Sequence, residues 1–158
     1  MRKIAVLFIC LLAILPLSAD AGFSIDSYSV DIDVLPSRAA YISEELNVDF
    51  TQPSHGIIRD IQTVFPGVRA KVSDIQGSAI AGAERNGDFL SVLMGDGSQM
   101  VVGPVSYSLS YLYDIGSDRY RGYDEFYYNI VSPAWASGMS QVEFSVHFPY
   151  PIDADRVW

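Results

Sequence analysis

The side chains able to do chemistry in this chain are few, and their spacing argues against most reactions. Two histidines, His55 and His147, stand 92 residues apart, and the one cysteine, Cys10, lies in an apolar run near the N-terminus. Zinc sites gather His, Cys and carboxylate ligands at short, recurring spacings, and no such grouping occurs. A Ser-His-Asp triad needs a presented serine, but the sequence holds no Gly-x-Ser-x-Gly elbow and sets no serine beside either histidine in a recognisable motif. His147 alternates with Val146 and Phe148, which puts it on a solvent face, while His55 follows the turn Gln52-Pro53-Ser54 and is expected to cap or pack locally. Asp114, Asp118, Asp124 and Glu125 gather in one stretch and offer the hard oxygens that calcium prefers. They lack the alternating pattern of an EF-hand, so a solvated acidic loop is the expectation. Paired carboxylates for glycoside hydrolysis can be drawn from anywhere in so acidic a chain and therefore discriminate nothing. The expectation is a protein that is not an enzyme, with no catalytic residue, metal or cofactor.

Arg59 poses a different question. In an extended segment Ile57, Arg59 and Ile61 share one face, and Ile58, Asp60 and Gln62 share the other. Burying the isoleucines buries a guanidinium, which cannot shed its charge and must find an acid or carbonyls. Glu44 is the leading partner, since it alone among the acids of its segment shares a face with Leu46, Val48 and Phe50; Glu125 and chain-end carbonyls are the substitutes. The competing arrangement puts Ile58 in the core and leaves Asp60 in need of a partner. Glu44, His55, Gly56, Arg59 and Asp60 thus form a candidate structural or interaction motif. A second candidate is aromatic, because Tyr111, Tyr113, Tyr120, Tyr123, Phe126, Tyr127, Tyr128 and Trp135 fall within 25 residues. Tyr120, Tyr123, Tyr128 and Trp135 could form a stacking platform for sugars, whereas the simpler reading fills the core with Tyr107, Tyr111, Tyr127 and Trp135.

The elements that must position these groups are strands. Tyr28 to Val34 and Ile42 to Phe50 alternate apolar and polar residues, and Val105 to Tyr113 alternates strictly with Ser106, Ser108 and Ser110. Gly56 to Val64, Phe126 to Val131 and Gln141 to Phe148 read as further strands, with Val68 to Ile75 and Ser78 to Glu84 carrying weaker signals. Asn86-Gly87 before Phe89 to Met94 predicts a hairpin through a type I′ turn. Eight or nine short strands separated by turn residues predict an all-β antiparallel sandwich.

Ahead of these strands, Arg2 and Lys3 precede an apolar run of 14 residues, Ile4 to Leu17, followed by small residues at Ser18, Ala19 and Ala21. A membrane-spanning helix needs about 20 apolar residues, so residues 1–21 are expected to be a cleavable signal peptide and 22–158 one extracytoplasmic domain. Loss of Arg2, Lys3 and Asp20 takes the net charge from -9 to -10 and leaves no cysteine, so export implies no disulfide. So acidic a chain, with scattered basic residues, is not a nucleic-acid binder and has no attraction to an anionic membrane surface. With 49% hydrophobic and 18% charged residues it is not disordered either.

Several segments carry a likeness in order along the chain. They are Ile32-Asp33-Val34, then Glu44 to Phe50 leading into His55-Gly56-Ile57-Ile58-Arg59-Asp60-Ile61, Tyr107 to Tyr111, Glu125 to Val131 with Trp135, and Val142 to Pro149. The sequence resembles the extracytoplasmic N-terminal domain of the family called domain of unknown function 2207, with Tyr128 where a tryptophan is expected. The resemblance implies a β-rich domain outside the cell, followed by transmembrane helices in a segment absent from this chain. It implies no activity. The expected function is a non-catalytic extracytoplasmic binding or interaction module, the outer domain of a membrane or envelope protein whose partner is a protein or envelope component. The alternative is a secreted carbohydrate-binding module, or a glycoside hydrolase using acids near the aromatic loop. Contact with the membrane would come only through the absent segment or an uncleaved leader.

Overall fold

The computed structural model describes residues 22–116, 126–132, 135 and 137–151. The leader at 1–21, Tyr120, Tyr123, and the acids Asp118, Asp124 and Glu125 lie outside the described residues. Ten strands are described: β1 (Phe23–Val34), β2 (Ala39–Ser54), β3 (Gly56–Gln62), β4 (Val64–Phe65), β5 (Val68–Arg69), β6 (Lys71–Gly77), β7 (Ile80–Asn86), β8 (Phe89–Gly95), β9 (Val101–Asp114) and β10 (Val142–His147). The described residues are all-β, and no helix among them is long and apolar enough to cross a membrane. A five-stranded sheet runs in the order β10-β1-β2-β9-β6, a three-stranded sheet in the order β3-β8-β7, and β4 and β5 form a small ladder of their own.

Alternation dictates which side chains point inward. On β2, Ala40, Ile42, Glu44, Leu46, Val48 and Phe50 are buried, and across the ladder Tyr107, Leu109, Tyr111 and Tyr113 of β9 share that face. β1 contributes Ile25 and then Tyr28, Val30, Ile32 and Val34. The change from odd to even numbering comes from a bulge between Ile25 and Ser27, which inserts one residue and restores the inward face. The smaller sheet turns Ile57, Arg59 and Ile61 of β3 and Val92 and Met94 of β8 inward. These side chains form one core with the inner face of the larger sheet. β3 to β8 are spliced between the neighbouring strands β2 and β9, so the insertion itself sets Arg59 above Glu44.

Four expectations need correction. The larger sheet is mixed, because β10 runs parallel to β1, with Tyr28 opposite Val142 and Asp33 opposite His147. An alternating pattern is blind to strand direction. Phe126 to Val131 is not a strand but an extended strap whose polar groups bond to side chains rather than to a ladder. Tyr127 is 47% exposed and does not fill the core. The β7–β8 hairpin has Gly87 and Asp88 at its centre with Asn86 opposite Phe89, and of the two only Gly87 has positive φ, which suits a type II′ turn instead of type I′.

Glycine is required where β3 meets β8. Gly56 (φ 130°) lies opposite Gly95 in the ladder, and a Cβ on Gly56 would stand 2.0 Å from the Met94 carbonyl oxygen. Gly56→Ala should therefore cost about 2–3 kcal/mol in urea denaturation through clash and strain. Gly82, whose Cβ would meet nothing within 4 Å, is the control, and Gly82→Ala should change stability by less than about 1 kcal/mol. Equal effects of the two substitutions would show that close approach at Gly56 is not limiting.

Candidate functional site

Among the described residues, the largest gathering of reactive groups sits in the seam between the two sheets. Arg59 and Glu44 are each 1% exposed. Their contact is a fork, with Arg59 Nε donating to Glu44 Oε2 at 2.7 Å and Nη2 to Oε1 at 2.9 Å. Nη1 donates to the Asp60 carbonyl at 2.6 Å, and Nη2, with one proton left after Glu44, lies within hydrogen-bond distance of the hydroxyls of Tyr28 at 3.0 Å and Tyr128 at 2.9 Å and of the Ile130 carbonyl at 3.4 Å. Glu44 Oε1 also accepts from Tyr111 at 2.5 Å and Tyr128 at 2.7 Å, while the Tyr28 hydroxyl donates to the Ile130 carbonyl at 3.1 Å. The Trp135 ring lies 4.9 Å from the guanidinium carbon and donates its N–H to the Ile58 carbonyl at 3.2 Å.

These contacts set the protonation states. Burial alone would push the Glu44 carboxyl up, but Arg59 beside it and the hydrogen bonds from Arg59, Tyr111 and Tyr128 hold it below its ordinary value. Burial likewise opposes the charge on Arg59, and Glu44 together with the oxygens of Tyr128, Tyr28 and Tyr111 more than offsets it, so the guanidinium is held above its ordinary value. The phenols of Tyr28, Tyr111 and Tyr128 are raised, first by burial and then by the nearby Glu44 carboxylate. The result is an ionised pair surrounded by neutral hydroxyls, each already engaged. Such a centre fixes the relative position of two sheets and the strap; it offers no nucleophile or base to an outside molecule.

The other sequence candidates disperse. Ile58 is 53% exposed, so the competing arrangement for β3 does not occur; Asp60 accepts from Ser91 Oγ at 2.5 Å. His55 is exposed, with Nδ1 at 3.2 Å and 3.0 Å from the Asp96 and Gln99 carbonyls, and so ties down the turn before β9. Tyr128 and Trp135 are held in the seam by the contacts just given, Tyr128 also meets Tyr113 in a T-shaped contact, and Trp135 is half-buried with Arg59 over its ring.

The structure does place a serine beside a histidine, which the sequence pattern had not suggested. Ser145 Oγ lies 3.3 Å from His147 Nε2 and donates to Asp31, and the same Nε2 stands 3.9 Å from Asp31 Oδ1. A triad requires opposite ring nitrogens to face the acid and the serine, and here one nitrogen faces both on an open sheet surface. Among the described residues no group of His, Cys, Asp and Glu is arranged to hold a metal ion. Sequence reasoning missed Tyr28 and Tyr128 as partners of Arg59. Tyr28 carried only the signal of an inward position, and Tyr128 lies on the strap, whose position no periodicity encodes.

Comparison with known proteins gives a family and no activity. No curated protein matches the sequence. An M1 zinc metallopeptidase from Deinococcus radiodurans, solved as a mutant bound to a Tyr-Ser-Ala substrate, superposes with a TM-score of 0.40 at 16% identity over 63% of this chain and 22% of the peptidase. A second structure of that organism's M1 zinc metallopeptidase gives 0.37 at 14% identity over 58% and 20%. The chain thus spans about a fifth of these neighbours, and likeness at this level carries no argument. Residues 24–158, by contrast, match the family described as predicted membrane protein (DUF2207), N-terminal domain. This chain belongs to the DUF2207 family and carries its N-terminal domain.

Proposed function

We propose that the chain is a non-catalytic, extracytoplasmic interaction module, the outer domain of a membrane or envelope protein, built as a β-sandwich and exported by a cleaved leader. The observation that carries the reading is the closure of the Arg59–Glu44 centre: the main concentration of reactive groups makes its bonds within the chain. The family description as predicted membrane proteins supports a membrane context. The basic residues and apolar run ahead of Ala19-Asp20-Ala21 support export. The sugar-binding alternative loses two of its four platform residues to the seam, and no other observation favours it.

Expression with the native leader in a bacterial host tests the location. Fractionation should recover the domain outside the cytoplasm, and intact mass should place its N-terminus at Gly22 or Asp20. A product that retains Met1 in the membrane fraction would make the leader an anchor, and one that remains in the cytoplasm would overturn the reading.

A further inference from the structure

We propose that the free edge of β10 is a self-association surface, on which a second copy of this chain adds its own β10 antiparallel and continues the five-stranded sheet across a two-fold axis. The proposal rests on the edge itself and not on the location argued above. β10 ends the sheet, and no described strand pairs with its outer side. The Tyr28 N–H donates to the Gln141 carbonyl at 3.0 Å, which points the backbone groups of Gln141, Glu143 and Ser145 toward β1. Those of Val142, Phe144 and Val146 therefore face the free edge, because N–H and C=O reverse sides with each residue.

The side chains of the same three residues project onto the inner face, in register with buried Tyr28, Val30 and Ile32. Phe144 stays 61% exposed, with Val142, Val146 and Phe148 exposed beside it. Edges of sheets are ordinarily blunted by lysine, proline or an inward charge, and β10 contains none of these.

The sequence of β10 also complements itself. With Ser145 opposite its symmetry mate, Phe144 meets the partner subunit's Val146 and Val142 meets the partner subunit's Phe148. In this register the outward-facing backbone groups fall at hydrogen-bonded pairs. On the other face Glu143 meets the partner subunit's His147, a carboxylate opposite a ring N–H, and symmetry makes that contact twice. Shifting the register by two residues puts Glu143 opposite serine or proline instead. The Nε2 of His147 faces Ser145 at 3.3 Å and Asp31 at 3.9 Å, which leaves its Nδ1 for the contact.

Sedimentation velocity of the purified chain over a dilution series should show a reversible monomer–dimer equilibrium. Phe144→Lys should weaken dimerisation by at least about tenfold. Glu143→Lys and His147→Glu should each weaken it roughly three- to tenfold, and the double substitution should restore it. All three positions are exposed, so circular dichroism should remain unchanged; if Phe144→Lys misfolds, the charge exchange alone decides. A chain monomeric at every concentration, or a dimer that the single substitutions leave intact or the double substitution fails to restore, would overturn the proposal.

Discussion

Arg59→Ala should lower the stability of the domain by about 3–5 kcal/mol, measured by urea denaturation. The cost comes chiefly from what remains behind: Glu44 would keep two phenolic donors but lose the charge that holds it ionised in a site 1% exposed. Glu44→Ala should cost a similar amount, because the stranded guanidinium cannot neutralise itself. The double substitution should cost clearly less than the two single ones together. Against a total stability of about 5–15 kcal/mol, either single loss is a large fraction. Replacing both residues by leucine, which often rescues a buried ion pair, should fail to do so fully here. The hydroxyls of Tyr28, Tyr111 and Tyr128 would then lose their charged partners. A loss below about 0.5 kcal/mol for Arg59→Ala would remove the structural role and return Arg59 to consideration as a binding residue.

Alkaline unfolding should be steep. Tyr28, Tyr111, Tyr113 and Tyr128 all have phenols raised above the ordinary value of 10.0, burial being the first cause in each. A raised value means the native state keeps a proton that the unfolded chain releases, so the contribution is complete below that ordinary value and is lost above it. Each group subtracts about 1.4 kcal/mol per pH unit there, and four together about 5.6 kcal/mol. Stability of the usual size is then exhausted within about one to three pH units above 10. Phenolate absorbance and loss of the β signature in circular dichroism should change in one cooperative step. On the acid side the sign reverses. Glu44 is lowered, so its contribution is present above the ordinary 4.5 and is lost as pH falls through its folded value. Buried phenols that titrate near 10 with the fold intact would contradict the seam described.

Much of this arrangement was readable from single residues. The strict alternation on β2 and β9 named nearly every inward side chain, and an acid at position 44 of that face announced a buried partner. Ile57 and Ile61, flanking Arg59, supplied it. What alternation does not encode is direction and pairing partner, which is why the parallel course of β10 was missed. The same limit hid Tyr128: the strap from Phe126 follows the shape of the seam, and its geometry depends on contacts with Gln62, Arg59 and Glu44 far away in sequence. The turn at Gly87 shows a third limit. Glycine marked the hairpin, but its exact place in the loop was set by strand register.

The parallel docking of β10 bears on the order in which the domain assembles. β1 and β2 are joined by a short turn and can pair as soon as both exist, whereas Asp31 meets Ser145 across 114 residues of chain. Closing so distant a contact costs loop entropy before any ladder bond repays it, and slows the late stage of folding. Until that closure β1 is itself an edge, with apolar Val30 and Ile32 on its inner face and one side of its backbone unpaired. β10, which follows the other described strands in the chain, is thus the one that protects β1, and the interval between their emergence is one in which the chain is exposed to misassembly.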